Sequence, residues 1–387
     1  MLDKDSNLVD ETNEIKHIEF FSGIGGMRYG VENAISSRLN DDSQKIYTRC
    51  NAYEISVYAN DTYCHNFTET ISKKKKNNSP FTVQTKLIEQ LKPNDIDNLG
   101  INLWTMSPPC QPFTKTKNAK QRDSDDERCK GLKAIIRLLK AIKQKPKWII
   151  LENVKNFVGS HMLALWQECL IECEYSFEEY LLSPTQFGIP NHRTRFYMIC
   201  ERSERFQNRK ICADNLSLSF LPGTNQKAVA VSPSLVGNFI DKNLDTEEKK
   251  KLIIPDDTFD KPWVKNLGIV CALDTITHCF TAFYGRQLHR ATGSVLLEDD
   301  TRSQAIATLP LDRTDMLRYK GKLRRFSPNE LLSLFGFPSD FLFPEEISLE
   351  HRYKLIGNSV NVSVVSFVAS YLLQDVCENK KRKCMHS

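Results

Sequence analysis

Apolar runs and helical periodicities alternate along the chain up to Glu201. From Ile15 it reads IKHIEFFSGIGGMRYGVENAI: a short apolar strand, a glycine turn, then apolar residues at helical spacing. TRCNAYEIS fits a second strand and VYANDTYCHNF a helix, after which ISKKKKNNSP reads as an exposed loop. INLWTMS predicts another strand, GLKAIIRLLKAIK a helix, and KWIILEN a buried strand running into Glu152. FEEYLLSPTQFG and RTRFYMICE predict two further strand-like pieces joined by a polar turn. Strands and helices alternating at these lengths imply an α/β fold with a mostly parallel sheet and helices on both faces.

Beyond Glu201 the pattern changes. Residues 202–262 are polar and irregular, with Pro-Ser, Gly-Asn and Asp-Asp punctuation, and a second, smaller domain is expected at 202–320. FSPNELLSLFGFPSDF returns to helical periodicity, and YKLIGNSVNVSVVSFVASYLL reads as a turn followed by an apolar helix. That helix is expected to pack back on the first domain, making it discontinuous: 17–201 together with 321–376. A polar extension (1–16) precedes it and a basic tail (377–387) follows. No internal repeat is visible.

Composition adds limits rather than detail. The 387 residues are 40% hydrophobic and 26% charged, as in globular proteins, and the net charge is +5. Lysines cluster at 73–76, at Lys140, Lys143, Lys145 and Lys147, and from Lys320 through Lys322 to Arg324 and Arg325. Such runs suit phosphate contacts, although a solvated surface carries them equally well. The start, MLDKDSNLVDETNE, is too polar for a signal peptide, and no stretch approaches the apolar length of a membrane span. The expectation is a cytoplasmic protein without a membrane partner; the ENKKRKC tail makes the nucleus a second location. The 12 cysteines contain no CxxC pair, and the closest two are Cys169 and Cys173, so reduced thiols and no metal site are expected.

Candidate chemistry begins with MSPPCQPFT. Proline fixes its own φ and restricts the residue before it, so Pro108, Pro109 and Pro112 exclude Cys110 from a helix interior or a central strand. A thiol on a stiff turn suits a nucleophile. In FSGIGGM, Gly23, Gly25 and Gly26 let backbone N–H groups approach a cofactor, but the third glycine of a dinucleotide fingerprint would fall at Arg28. Glu54, just past the second strand, is placed to bind both hydroxyls of a ribose. Glu152 closes a strand at the sheet edge where ligands bind, and Arg193 and Arg195 alternate on an extended segment. Singly, each also reads as a surface ion pair or a helix cap.

Together and in this order, FFSGIGGM, Tyr53–Glu54, SPPCQPFT, LENV, QFGIPNHRTRFY and GNSVNV resemble the cytosine-5 methyltransferases of the DNA-methyltransferase type. The resemblance covers nearly the whole chain beyond residue 16. It is strongest to the branch that methylates tRNA-Asp, through Cys-Phe-Thr in HCFTAFYG and the following TGSVL. It implies a Rossmann-like, class I methyltransferase domain plus a target-recognition domain, with S-adenosyl-L-methionine as methyl donor and no metal. Cys110 would add to cytosine C6, Glu152 would hold the N3 edge and exocyclic amine, and Arg193 and Arg195 the carbonyl and surrounding charge. Phe20, Gly23, Ile24, Gly25, Glu54, Ile88, Glu89, Ser107, Asn358 and Ser359 would contact the cofactor. The loop 111–130 would close over the base. Partners would be tRNA, above all tRNA-Asp, with DNA a weak second, and the protein a monomer. Two other readings remain at this level: a DNA cytosine-5 methyltransferase, and a catalytically silent nucleic-acid-binding homologue.

Overall fold

A computed structural model describes residues 14–39, 47–72, 81–109, 127–212, 214, 216–223, 232–298 and 315–376. Strand β1 (Ile15–Phe20) leads into helix α1 (Gly26–Leu39), and β2 (Tyr47–Tyr53) into α2 (Val57–Ser72). There follow β3 (Phe81–Gln84), the short α3 (Pro93–Asp97), β4 (Leu103–Met106) and α4 (Lys130–Ala141). Next come β5 (Trp148–Val154), α5 (His161–Glu172), β6 (Ser176–Leu182) and β7 (Arg195–Glu201). The seven strands form one sheet in the order β3-β2-β1-β4-β5-β7-β6. Its first five members run parallel and β7 runs antiparallel to both neighbours. The mostly parallel α/β sheet expected from periodicity is therefore present, with β3 the strand that periodicity did not single out.

Alternation along β5 explains the two-faced core. Ile149 and Leu151 join Trp104, Phe177 and residues of α4 and α5 on one face. Trp148 and Ile150 join Leu103, Tyr197 and residues of α1 on the other. Within the sheet lies a buried polar chain. His17 Nε2 is 2.7 Å from Thr105 Oγ1, Cys50 Sγ is 3.6 Å from both His17 Nδ1 and Tyr63 Oη, and Tyr63 Oη is 2.8 Å from Glu19 Oε2. Burial, then the charge of Arg28, pushes His17 down to about 3. Burial pushes Glu19 up to about 8, so its carboxyl is mostly protonated at neutral pH.

The second sheet is small. After α6 (Thr246–Leu252), β8 (Gly268–Val270), β9 (Ser294–Leu297) and β10 (Leu323–Arg325) pair in the order β10-β9-β8. Residues just after 201 stay with the large sheet: Glu179 N–H donates to Arg209 O (3.1 Å) and Ser219 N–H to Leu181 O (2.8 Å). Helix α7 (Pro328–Phe335) opens on a capping box in which Ser327 and Glu330 satisfy each other's N–H groups. Glu330 also grips Arg324 with two 2.7 Å hydrogen bonds, and Arg324 Nε reaches Glu298 at 2.6 Å.

Helices α8 (Leu349–Asn358) and α9 (Val362–Leu372) return the chain to the first sheet. By composition and combined length, Leu349–Leu372 passes for a membrane-crossing helix, contrary to the expectation from the sequence. It is instead broken at Ser359, with Asn361 capping α9, and Val364, Val365 and Val368 are fully buried in the core. There α9 lies against α1 so closely that a Cβ on Gly30 would sit 2.4 Å from Val365. Residues of α9 thus share one core with α1 and the large sheet.

Candidate active site

A cavity of about 530 Å³ opens at the carboxyl ends of β1, β2, β4 and β5. This is where ligands bind in open α/β sheets, and the volume is in the range of small-molecule sites. One wall comes from Gly23, Glu54, Ile55, Tyr58, Ile88 and Glu89; the opposite wall from His351, Lys354, Gly357, Asn358 and Ser359. Ser107, Pro108, Pro109, Glu152, Arg193 and Arg195 form one end.

Most residues expected at a cofactor therefore meet here, and three do not line the cavity. Phe20 is buried in the sheet between Tyr53 (5.6 Å between centroids) and Trp104 (5.1 Å). Its neighbour Phe21, at φ +55°, lines the cavity instead. Ile24 is 1% exposed in the core beneath α7, and Gly25 is turned toward Phe67, whose ring a Cβ would meet at 2.4 Å. Gly23 adopts φ +53° with open space where a side chain would be, which suits close approach of a ligand. Glu54 is oriented before any ligand arrives: Oε2 accepts from Gly23 N–H (3.1 Å), and Oε1 from Ile55 and Ser56 N–H (2.9 Å each). A carboxylate fixed beside an open glycine fits a ribose diol, which needs an acceptor held in place.

Glu152, two residues before the end of β5, is almost buried. Ser107 Oγ donates to its Oε2 at 2.5 Å, and Arg195 Nε lies 3.5 Å from its Oε1. Ser107, expected at the cofactor, is thus a partner of Glu152 as well. Asn153 Nδ2 donates to Pro108 O at 3.3 Å and pins the segment that leads to Cys110. Cys110 itself and the loop 111–126 lie outside the described residues; Pro109, immediately before the cysteine, lines the cavity.

The two arginines differ. Arg193 is 3% exposed and donates to the carbonyls of Phe280 (2.8 Å), Gly357 (3.1 Å) and Ser359 (2.5 Å). It ties β7's approach to the small lobe and to the turn after α8. Arg195 faces Glu152, and both guanidiniums reach Cys279 Sγ, at 3.6 Å from Arg193 and 3.7 Å from Arg195. Burial pushes the Cys279 thiol up, but the charges and hydrogen bonds of Arg195 and Arg193 together outweigh it and hold the thiol below its ordinary value. Only the Cys-Phe-Thr resemblance flagged Cys279. Nothing in the sequence signalled the ring contact between Tyr58 and His351, 4.2 Å apart, which joins the two cavity walls. Those positions are about three-quarters of the sequence apart.

Glu152 and Arg195 thus form a carboxylate–arginine pair at one end of the cavity. The chain matches the family model "C-5 cytosine-specific DNA methylase" over residues 15–374, and it belongs to that family. It is 31% identical to a DNA (cytosine-5)-methyltransferase of Dictyostelium discoideum, across 93% of this chain and 94% of that one. It is 30% identical to the tRNA (cytosine(38)-C(5))-methyltransferase of Mus musculus, across 94% of each. Among solved structures, a methyltransferase of Entamoeba histolytica superposes with a TM-score of 0.73 at 28% identity, covering 94% of this chain and 98% of that one. The chain is thus a cytosine-5 methyltransferase, a family whose methyl donor is S-adenosyl-L-methionine.

Proposed function

We propose that the protein methylates C5 of a cytosine in the anticodon loop of tRNA-Asp through a covalent Cys110–C6 adduct. The observation that carries this reading is Glu152, held almost buried at the cavity end by Ser107 and Arg195. Cytosine C5 is unreactive while the ring is aromatic. A carboxyl at the N3 edge lets the ring accept charge as the Cys110 thiolate adds to C6, which makes C5 an enamine carbon. S-Adenosyl-L-methionine supplies the methyl group. Loss of the C5 proton then expels the thiolate and restores the ring.

Glu54, Gly23, Phe21, Ile88 and Glu89 would hold the adenosine part of the cofactor, and Asn358 and Ser359 its methionine part. Arg195 would meet the cytosine carbonyl. Arg193, already donating to three carbonyls, would keep the loops around that base in register. A loop base is unpaired at the outset, so the few kcal/mol of unstacking that duplex DNA would demand is reduced. The tRNA reading draws on the Mus musculus relative and on Cys279–Phe280–Thr281. The Dictyostelium relative favours the DNA alternative.

The test is transfer of labelled methyl groups to tRNA-Asp and, separately, to cytosine-rich duplex DNA, each with Cys110→Ala alongside. Label in tRNA alone, abolished by the substitution, is the expected result. Label in DNA alone would overturn the substrate, and label persisting in Cys110→Ala would overturn the adduct. No transfer to either, with cofactor still bound, would favour a silent binding protein.

A further inference from the structure

One turn of the small lobe presents an aromatic ring to water. Phe283 is 55% exposed, whereas Phe280 and Tyr284 beside it are 0% and 1% exposed. Those two hold the turn from below, edge to face at 5.0 Å, and Tyr284 Oη donates to Ser294 O at 2.7 Å. The Phe283 carbonyl accepts N–H bonds from Arg286 (2.9 Å) and Gln287 (2.8 Å). At the far end, Gly285 is pressed against Tyr353 of α8, where a Cβ would come within 3.0 Å of the ring.

The turn is also continuous with the cavity. Four residues before Phe283, Cys279 meets both Arg193 and Arg195. Next, the Thr281–Ala282 backbone fills the space where Gly357 lacks a side chain; a Cβ there would come within 2.2 Å of Thr281 C. Gly357 is itself part of the cavity wall. The exposed ring therefore follows directly on the segment packed against the cavity-lining Gly357, on a turn fixed at both ends.

We propose that Phe283 is a stacking platform for an unpaired nucleobase that flanks the target cytosine. The proposal rests on the nucleic-acid substrate argued above and names the residue that grips it. Every base has a flat face, and an unpaired loop base has that face available. A benzyl side chain offers no hydrogen bond to a base edge, so it contributes affinity and placement without selecting base identity. The nearest cation on the turn, Arg286, is engaged with Glu350, which leaves the ring to make this contact.

The experiment compares the full-length protein with Phe283→Ala, Phe283→Leu and Phe283→Trp. Two readouts are taken: steady-state methyl transfer, and quenching of 2-aminopurine placed next to the target cytosine in an anticodon stem-loop. Stacking predicts that Ala and Leu raise KM for the tRNA by roughly five- to a hundred-fold, from the measured scale of base–aromatic contacts. The kcat and cofactor affinity should stay near wild type. Trp should restore KM, and quenching should be present in wild type and Trp and lost in Ala and Leu. A Leu variant that matches wild type in both readouts would overturn the proposal, since Leu keeps the apolar bulk and loses the ring. If the wild type methylates only DNA, the tRNA reading fails, and the same four proteins on that DNA decide the stacking. A wild type that methylates neither overturns both.

Discussion

Two arginine–carboxylate clusters serve opposite ends in this molecule. At the small sheet, Arg324 and Glu330 are 1% exposed each and joined by two 2.7 Å hydrogen bonds; Arg324 also reaches Glu298 and Arg325 O, and Glu330 also accepts from Ser327 and Asp241 N–H. At the cavity, Arg195 and Glu152 stand 3.5 Å apart, and Glu152 is steadied by one hydroxyl. A saturated pair has nothing left to offer a ligand. A loose pair at a cavity end can re-pair with a base whose charge changes during reaction. The first pair is closed on itself, whereas the second faces the cavity and Cys279.

The largest expected effect exchanges the two carboxylates' fates. Glu152→Gln should lower kcat by about 10²–10⁴-fold, the usual scale for a group moving or sharing a proton, with the melting temperature near wild type. Glu330→Gln should do the reverse, costing about 3–5 kcal/mol because Arg324 is left buried with a neutral partner, while activity per folded molecule persists. Thermal melts beside single-turnover rates measure both, and a Glu330→Gln protein that is stable but inactive would erase the distinction.

The arginine pair sharpens the comparison at smaller scale. Arg193→Lys cannot reach three carbonyls from one ammonium, and should cost about 1.5–3 kcal/mol of stability, the scale of hydrogen bonds to a charged donor. Arg195→Lys keeps a positive charge beside Glu152, so it should change the melt less than Arg193→Lys and act on kcat. Equal melts for the two variants would place both on one footing.

The smallest effect concerns pH. Glu19 has its carboxyl raised from 4.5 to about 8 on folding, so its contribution is complete below pH 4.5 and is lost as pH rises toward 8. His17 is lowered from 6.5 to about 3, so its contribution is complete above pH 6.5 and is lost as pH falls toward 3. Between pH 4.5 and 6.5 the two slopes oppose. Stability from this pair should therefore peak there, and Glu19→Gln should flatten the decline between pH 6.5 and 8 in chemical-denaturation series.

The large sheet was legible because its strands are apolar runs separated by periodic helices, and β5, carrying Glu152 near its carboxyl end, is the clearest case. The small sheet was not, since β8 and β10 hold three residues each and offer no period to detect. Of the two phenylalanines in FF, Phe21 lines the cavity and Phe20 does not; both are apolar, and the positive φ of Phe21 breaks the alternation that would tell them apart. Glu54, Glu152 and the two arginines were singled out from type and position, and all four line the cavity. The tie from Arg193 to Ser359 and the contact of Tyr58 with His351 join segments too remote in sequence to leave a local trace.

Helix α9 lies against α1, yet more than three hundred residues of chain separate them. During synthesis the outer face of α1 waits, apolar and unpaired, until more than three hundred further residues have been made. The catalytic body cannot be completed as a nascent fragment, and a ribosome that stalls after the small lobe releases a sheet with one flank bare. Such a fragment is a client for chaperones and a seed for aggregation, so the time to reach α9 sets how long the newborn enzyme is at risk.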